Sequence, residues 1–288
     1  QYKEIVLSQQ QYDGRAIPFK RGDILDSKGT KLAISEKVYN LIIDCKAVLE
    51  KEEYLDATMT ALANCFPQLN KMEVQNYIKD NPSRRYYVVA KQLTYEEISD
   101  FVDIQNNKKE NPYVQGVWFE EEFKRMYPNG SLACDVIGFT IKNSDGSGFM
   151  GNYGLEAYYN DILNGTNGRE YGYLNEDSNL ERTTIPATDG YNLVTTIDAN
   201  IQSVVEKYLK KHKEEYTNYY RTGNGAQNAG CIVMDVNTGE ILAMADYNSY
   251  DLNHPYATDA LLGTQLLTGK GKVSEEGTII TAENKESS

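Results

Sequence analysis

The feature that most restricts the folding options of this chain is a change of hydrophobic period. Residues 47–108 carry helical spacing, whereas the segments before and after them read as extended and broken by turns. Within the helical stretch, Val48, Leu49, Leu55, Met59, Leu62, Ala63 and Phe66 recur near a 3.6-residue period, and Pro67 stops the run. Asn70 with Glu73 predicts the cap of a next helix carrying Val74, Tyr77 and Ile78. Tyr86 to Ala90 predicts a short strand, and Thr94 with Glu97 a capping box ahead of Ile98, Phe101 and Val102.

On the N-terminal side, Asp26-Ser27-Lys28-Gly29 predicts a turn, because Asp closes an Asx-turn and Gly tolerates positive φ. A β-prone run at Val38, Leu41, Ile42 and Ile43 follows. On the C-terminal side, 113–141 reads as strands and turns, and Gly146, Gly148 and Gly151 as a loop. Gly154 to Leu163 reads as an amphipathic helix with Leu155, Tyr158, Tyr159 and Ile162 on one side, and Tyr191 to Ile197 as a strand. Asp198 predicts the cap of a helix carrying Ile201, Val204, Val205, Tyr208 and Leu209. Gly223 to Gly225 reads as a loop, and Asn237-Thr238-Gly239 joins the strands Cys231–Val236 and Glu240–Ala245 in a hairpin. The polar residues 270–288 predict a mobile end. Helices grouped between extended segments define an α+β chain.

At about 150 residues per domain, 288 residues suggest two domains. The 29 basic and 42 acidic residues leave a net charge of −13, which argues against a nucleic-acid partner and against an anionic membrane surface. Two His and four scattered Cys offer no metal-ligand spacing; Cys45, Cys65, Cys134 and Cys231 read as small apolar side chains, with a single bridge left open. No cofactor, metal or catalytic residue is expected. No apolar run is long enough to span a bilayer.

Several motifs fail on inspection. Gly263 to Gly271 lacks the phosphate-loop spacing, and the calcium-loop likeness at Asn143, Asp145, Ser147 and Gly148 reaches Gly154 where a bidentate Glu belongs. Glu120-Glu121-Glu122 reads as a solvated strand edge, since neighbours on a strand point to opposite faces. The sequons at Asn129 and Asn164 matter only in a eukaryotic secretory context. His212 reads as a surface residue, and neither it nor His254 has a triad context.

Five segments in order stand above this background. Arg21-Gly22-x-Ile24-x-Asp26-x-x-Gly29 leads to Leu32-Ala33. Arg125-x-Tyr127-Pro128-x-Gly130 ends at Gly138. Gly154-x-Glu156 precedes Leu163-x-Gly165-x-x-Gly168. Together these resemble the three motifs of the N-terminal pedestal, or dimerisation, domain of class B penicillin-binding proteins, with Ser27 standing where that family usually has Arg. Leu193-x-Thr195-Thr196-Ile197-Asp198-x-x-Ile201-Gln202 and Val233-x-Asp235-x-x-Thr238-Gly239-Glu240-Ile241-Leu242-Ala243-Met244 resemble the entry and first hairpin of the family's transpeptidase domain.

The resemblance implies an elongated pedestal over 1–190, with a variable helical head lobe at about 47–112, followed over 191–288 by an incomplete transpeptidase domain of a helix and a β-hairpin. Arg21, Arg125 and Glu156 are of the types that form guanidinium–carboxylate forks, and the glycines beside them allow close backbone crossings. No Ser has Lys three positions later and no Lys-Thr-Gly or Lys-Ser-Gly occurs, so the family's acyl-serine chemistry has no residues here. The implied role is scaffolding: positioning a D,D-transpeptidase domain on the extracytoplasmic face of a bacterial membrane, above an N-terminal anchor helix outside this chain. The implied partners are other cell-wall synthesis or division proteins and a homodimer; peptidoglycan stem peptides would concern the intact protein only. The alternatives are an inactive homologue that binds wall or division partners, and an unrelated surface-binding protein with Tyr-rich loops.

Overall fold

A single long strand organises the molecule. The computed structural model describes residues 15–143, 148–174, 180–220 and 228–257. The expectations for Gly223–Gly225, Gly263–Gly271, residues 270–288, and Asp145, Gly146 and Ser147 lie outside the described residues. Strand β3 (Lys31–Ile43) is flanked by β1 (Arg15–Ile17) and β2 (Ile24–Leu25) before it. After it come α1 (Cys45–Val48), α2 (Glu52–Cys65), α3 (Lys71–Asp80), β4 (Tyr87–Leu93), α4 (Tyr95–Asn106) and β5 (Val117–Met126). Antiparallel pairing with β5 runs along most of β3, from Ile34↔Met126 to Ile43↔Val117. At its start β3 also pairs β2, and at its end it pairs β4.

Because β3 is so long, its two ends belong to different cores. Leu41 and Ile43 are buried with Val48, Leu55, Met59, Leu62, Phe66, Val74, Ile78, Ile98 and Phe101 in the head lobe. There the ring of Phe101 meets Phe119 edge-on, with centroids 5.9 Å apart. Leu32 and Ala33 are buried with Ile24, Tyr127, Cys134, Ile137 and Leu163 in the pedestal. The β3–β5 pair is therefore a beam crossing both lobes.

Local signals place the head helices. Asn70 accepts from the Glu73 N–H, and Thr94 and Glu97 form the reciprocal capping box. The stretch expected as one helix over 47–66 is two, because the Asp44 carboxylate caps an earlier start at Cys45 and the chain turns at Leu49 before α2.

The pedestal continues with α5 (Cys134–Ile137), β6 (Thr140–Lys142), β7 (Phe149–Gly151), α6 (Gly154–Tyr158) and α7 (Asn160–Leu163). Then come β8 (Gly168–Leu174), β9 (Leu180–Ile185) and β10 (Leu193–Val194). Gly151 lies in a strand paired with β6, not in a loop. The β8–β9 hairpin was not expected; it forms a sheet with β1, whose Arg15–Ile17 pairs Gly168–Glu170. The strand expected over 191–197 shrinks to Leu193–Val194, because its parallel partner β2 is only two residues long. Beyond it, Thr195 turns both its N–H and its hydroxyl onto the Leu25 carbonyl.

Helix α8 (Ala199–Tyr216) and the hairpin β11 (Gly230–Met234) and β12 (Ile241–Asp246) follow. Helix and hairpin are tied by Gln202, fully buried, whose amide accepts from the Met244 N–H at 2.8 Å and donates to the Met244 carbonyl at 2.9 Å. Both strands of the hairpin carry apolar residues on each face, yet only one face is covered. Ala243 is buried towards α8, while Ile232 and Met234 remain 61% and 53% exposed. Among the described residues nothing covers the outer face.

This asymmetry is measurable in urea unfolding. Ile232→Ser is expected to change stability by less than about 0.5 kcal/mol, as for an exposed site. Leu41→Ala, in the head core, is expected to cost about 2–5 kcal/mol.

Candidate functional site

Three charged side chains, far apart in sequence, meet in the interior of the pedestal. Arg21 lies in the segment leading into β2, Arg125 near the end of β5, and Glu156 in α6. Glu156 has no solvent exposure. Its Oε2 accepts from Arg21 Nε at 2.8 Å and its Oε1 from Arg125 Nε at 2.7 Å. Each carboxylate oxygen thus serves a different guanidinium, and the contacts span 135 and 31 residues of chain.

Two buried cations against one anion leave an excess of positive charge, which neighbouring oxygens absorb. Arg21 also donates to the Glu156 carbonyl and to the side-chain oxygens of Asn160 and Asn164. Arg125 donates to the Gly22 carbonyl at 2.8 Å and to Ser35 Oγ at 3.1 Å. Burial draws the Arg21 pKa down from its ordinary value; Glu156 opposes this, while neighbouring Arg125 adds to it. A guanidinium nevertheless stays charged in a protein. Burial, and then the Glu156 charge, push the Tyr127 phenol well above its usual range, so it remains a neutral donor to Glu156. The same phenol oxygen accepts from the Thr140 N–H.

The burial of Glu156 corrects the expected face of the 154–163 segment. The segment breaks at Tyr159 into α6 and α7, and Tyr158 and Ile162 face solvent while Glu156 and Leu163 point inward. The ion pairs outweigh apolar periodicity at this position, because a buried carboxylate with two guanidinium partners is compensated.

The motif glycines and turns surround this cluster. A Cβ added at Gly22 would lie 1.9 Å from the Tyr191 carbonyl oxygen, so only glycine allows that crossing. Gly138, with φ of 70°, packs in the same way on the Tyr153 carbonyl, next to Gly154. Gly165 and Gly168 lie against the backbones of Thr188 and Ile185. Pro128 is exposed at the turn that follows β5. Gly29 closes the Asp26 turn, where Asp26 Oδ1 accepts from Lys28 and Thr30 N–H.

Asp26 does more than close that turn. Its Oδ2 accepts from the Ala199 N–H at 3.1 Å, at the first turn of α8, where orphan donors and the helix dipole favour an anion. Beside it Asp198 caps the helix and pairs with Lys28 at 2.6 Å. Burial raises the Asp26 pKa, but the three backbone donors outweigh it and hold the carboxyl below its ordinary value.

Sequence reasoning missed two carboxamides, Gln202 as a clamp and Asn253, because an amide gripping a backbone leaves no periodic signal. The remaining expected features are peripheral. Glu120 and Glu122 are half-buried rather than fully solvated, accepting from Tyr86 and Asn40. His212 is exposed but hydrogen-bonded to Tyr247; His254 pairs with Asp251. All four cysteines are free: Cys45 and Cys134 are buried, and Cys65 and Cys231 only half-buried. Burial lifts the Cys134 thiol to about 11. Among the described residues no group of three His, Cys, Asp or Glu side chains could hold a metal ion, and no helix is long and apolar enough to cross a membrane.

The arrangement is that of a structural lock. The family model of the penicillin-binding protein dimerisation domain matches residues 16–195. The chain therefore belongs to the penicillin-binding proteins, and its fold is that of a class B pedestal. The peptidoglycan D,D-transpeptidase FtsI of Escherichia coli K12 is 30% identical over 244 residues, covering 81% of this chain and 37% of that protein. The probable peptidoglycan D,D-transpeptidase PenA of Neisseria gonorrhoeae is 30% identical over 261 residues, covering 85% of this chain and 39% of that protein. The chain thus spans less than two-fifths of these relatives.

Among solved structures, penicillin-binding protein 2X of Streptococcus thermophilus superposes with a TM-score of 0.69 at 24% identity, over 86% of this chain and 37% of that one. A complex between a penicillin-binding protein and MreC from Helicobacter pylori gives a TM-score of 0.57 at 20% identity, over 92% and 45%.

Two outcomes follow for stability. Glu156→Gln leaves two guanidiniums facing each other without their anion, and is expected to cost about 3–5 kcal/mol in chemical denaturation. For Asp26 the folded pKa lies below the ordinary 3.8, so its stabilising contribution is complete above that value and is lost as pH falls through the folded pKa. A series of melting temperatures from neutral pH downward should therefore show a smaller acid-induced loss in Asp26→Asn than in the wild type, from a lower starting Tm.

Proposed function

We propose that this chain is the non-catalytic, extracytoplasmic pedestal of a class B penicillin-binding protein, with the first helix and hairpin of its D,D-transpeptidase domain. It sets the position of that domain in cell-wall synthesis and offers a surface to other cell-wall synthesis or division proteins. The observation that carries this reading is the sealed Arg21–Glu156–Arg125 cluster. Both carboxylate oxygens are occupied and all three side chains are buried, so the cluster holds geometry and offers no carboxylate oxygen to a substrate. The solved complex of a structural relative with MreC supports a partner-binding role for this kind of pedestal. The open outer face of the β11–β12 hairpin is the side on which further strands and helices of a catalytic domain would pack.

Labelled penicillin tests the assignment. The chain of 288 residues is expected to keep its unmodified intact mass, because no Ser-x-x-Lys pair is present. The full-length protein that carries this chain should gain one acyl group. An acylated serine within the 288 residues would overturn the non-catalytic reading. A full-length protein that stays unmodified would replace the transpeptidase reading with that of an inactive wall-binding homologue.

A further inference from the structure

Helix α8 and the β11–β12 hairpin form one body, because the Gln202 amide grips both backbone groups of Met244. That body meets the pedestal where the Asp246 side chain at the end of β12 hydrogen-bonds the Asp135 side chain of α5, and at three further places. At the start of α8, Asp26 and Lys28 hold Ala199 and Asp198. Further along the helix, Glu206 Oε1 accepts from the N–H of Ala133 at 2.7 Å, and Ala133 itself is left-handed with φ of 52°. The third place lies after the hairpin, where the chain returns to the pedestal at Tyr250–His254. Leu252 is buried in the pedestal core and its N–H bonds the Gly130 carbonyl. The Tyr250 hydroxyl donates to the Cys134 carbonyl at 3.2 Å.

Asn253 completes this return. Its Oδ1 accepts from the Tyr127 N–H at 3.0 Å and its Nδ2 donates to the Tyr127 carbonyl at 2.9 Å. Asp251 prepares the amide for this grip by accepting from both the Asn253 N–H and its Nδ2. Tyr127 is also the residue whose phenol reaches Glu156. One residue thus joins the returning chain to the buried ion cluster, through its backbone on one side and its ring on the other.

We propose that Asn253 is the positioning residue that fixes the orientation of the α8–hairpin body on the pedestal, by clamping Tyr127. The proposal rests on the reading of this body as the first part of a catalytic domain and deepens it. Of the three further places, the first two involve helix α8 alone. Asn253 ties the chain that leaves the hairpin to the pedestal backbone at Tyr127, so loss of its amide should loosen the hairpin while leaving the pedestal and head intact.

The test is amide hydrogen exchange on the intact chain, each variant compared with the wild type at the same pH. Asn253→Ala should speed exchange in β11 and β12 by about tenfold, with β3 and β5 within about twofold of the wild type. Asn253→Asp is nearly isosteric but sets a carboxylate against the Tyr127 carbonyl, so at neutral pH it should behave as the alanine variant does. Near pH 4 the introduced carboxyl, facing that carbonyl and the Asp251 carboxylate with His254 beyond it, takes up a proton and donates. Hairpin protection should then return in Asn253→Asp but not in Asn253→Ala. Equal acceleration of β3 and β5 would show ordinary destabilisation and overturn the proposal. So would unchanged hairpin exchange in Asn253→Ala, or a failure of Asn253→Asp to recover in acid. None of these outcomes depends on whether the full-length protein is acylated by penicillin.

Discussion

Everything in the pedestal depends on one carboxylate having two guanidinium partners. An isolated charge as deeply buried as Glu156 would be expelled or neutralised. Here Arg21 and Arg125 compensate it, and their surplus charge is spread over the Gly22 and Glu156 carbonyls, Ser35, Asn160 and Asn164. Such a cluster adds little net stability compared with an apolar core of the same volume. What it adds is direction, because each forked donor fits its acceptors in one orientation. Three chain segments far apart in sequence are thereby held at a defined crossing, and the tight glycine contacts at Gly22 and Gly138 become tolerable there.

That crossing is carried outward by the β3–β5 beam. The same two strands supply Arg125 and Ser35 to the ion cluster and Leu41, Ile43 and Val117 to the head core. The head is therefore an extension of the element that holds the lock, and a shift of one lobe acts on the other through paired backbone. The α8–hairpin body is attached by polar contacts to single backbone groups, such as Asp26 on Ala199 and Glu206 on Ala133, and by Leu252 in the pedestal core. One neighbour is joined by a continuous sheet and the other by discrete contacts, so the second joint is the softer.

Local chemistry was legible in the sequence. The caps at Asn70, Thr94 and Asp198 and the Asx-turn at Asp26 involve residues within four positions of one another, so their signals survive without knowledge of the fold. The motif residues Arg21, Arg125 and Glu156 stood out through the resemblance of their segments to the family's motifs, and the structure brings them into contact. The face of the 154–163 segment was misread in part: apolar periodicity counts Tyr158 and Ile162 as inward along with Leu155 and Tyr159, whereas the two arginines draw Glu156 inward and leave the first pair outside. The β8–β9 hairpin escaped notice because its first strand is completed by β1, whose partners are about 150 residues away in the chain. Tyr171, Tyr173, Thr183 and Thr184 were β-prone residues that could have signalled it. Asn253 and Gln202 were invisible as clamps, since each acts on the backbone of a residue that any sequence could supply.

The separation between Arg21 and Glu156 has a temporal counterpart. A chain made from its N-terminus presents Arg21 long before Glu156 exists, and β1 and β2 wait still longer for β8 and β10. The head lobe lies between these segments and can bury its helices against β3, β4 and β5 as soon as residue 126 has emerged. The head is thus the natural first folding unit. By pairing β3 with β5 it brings Arg125 to the base of the beam before its anion arrives. Arrival of Glu156 then closes a loop whose ends are already half assembled, which shortens the search that so long a separation would otherwise impose.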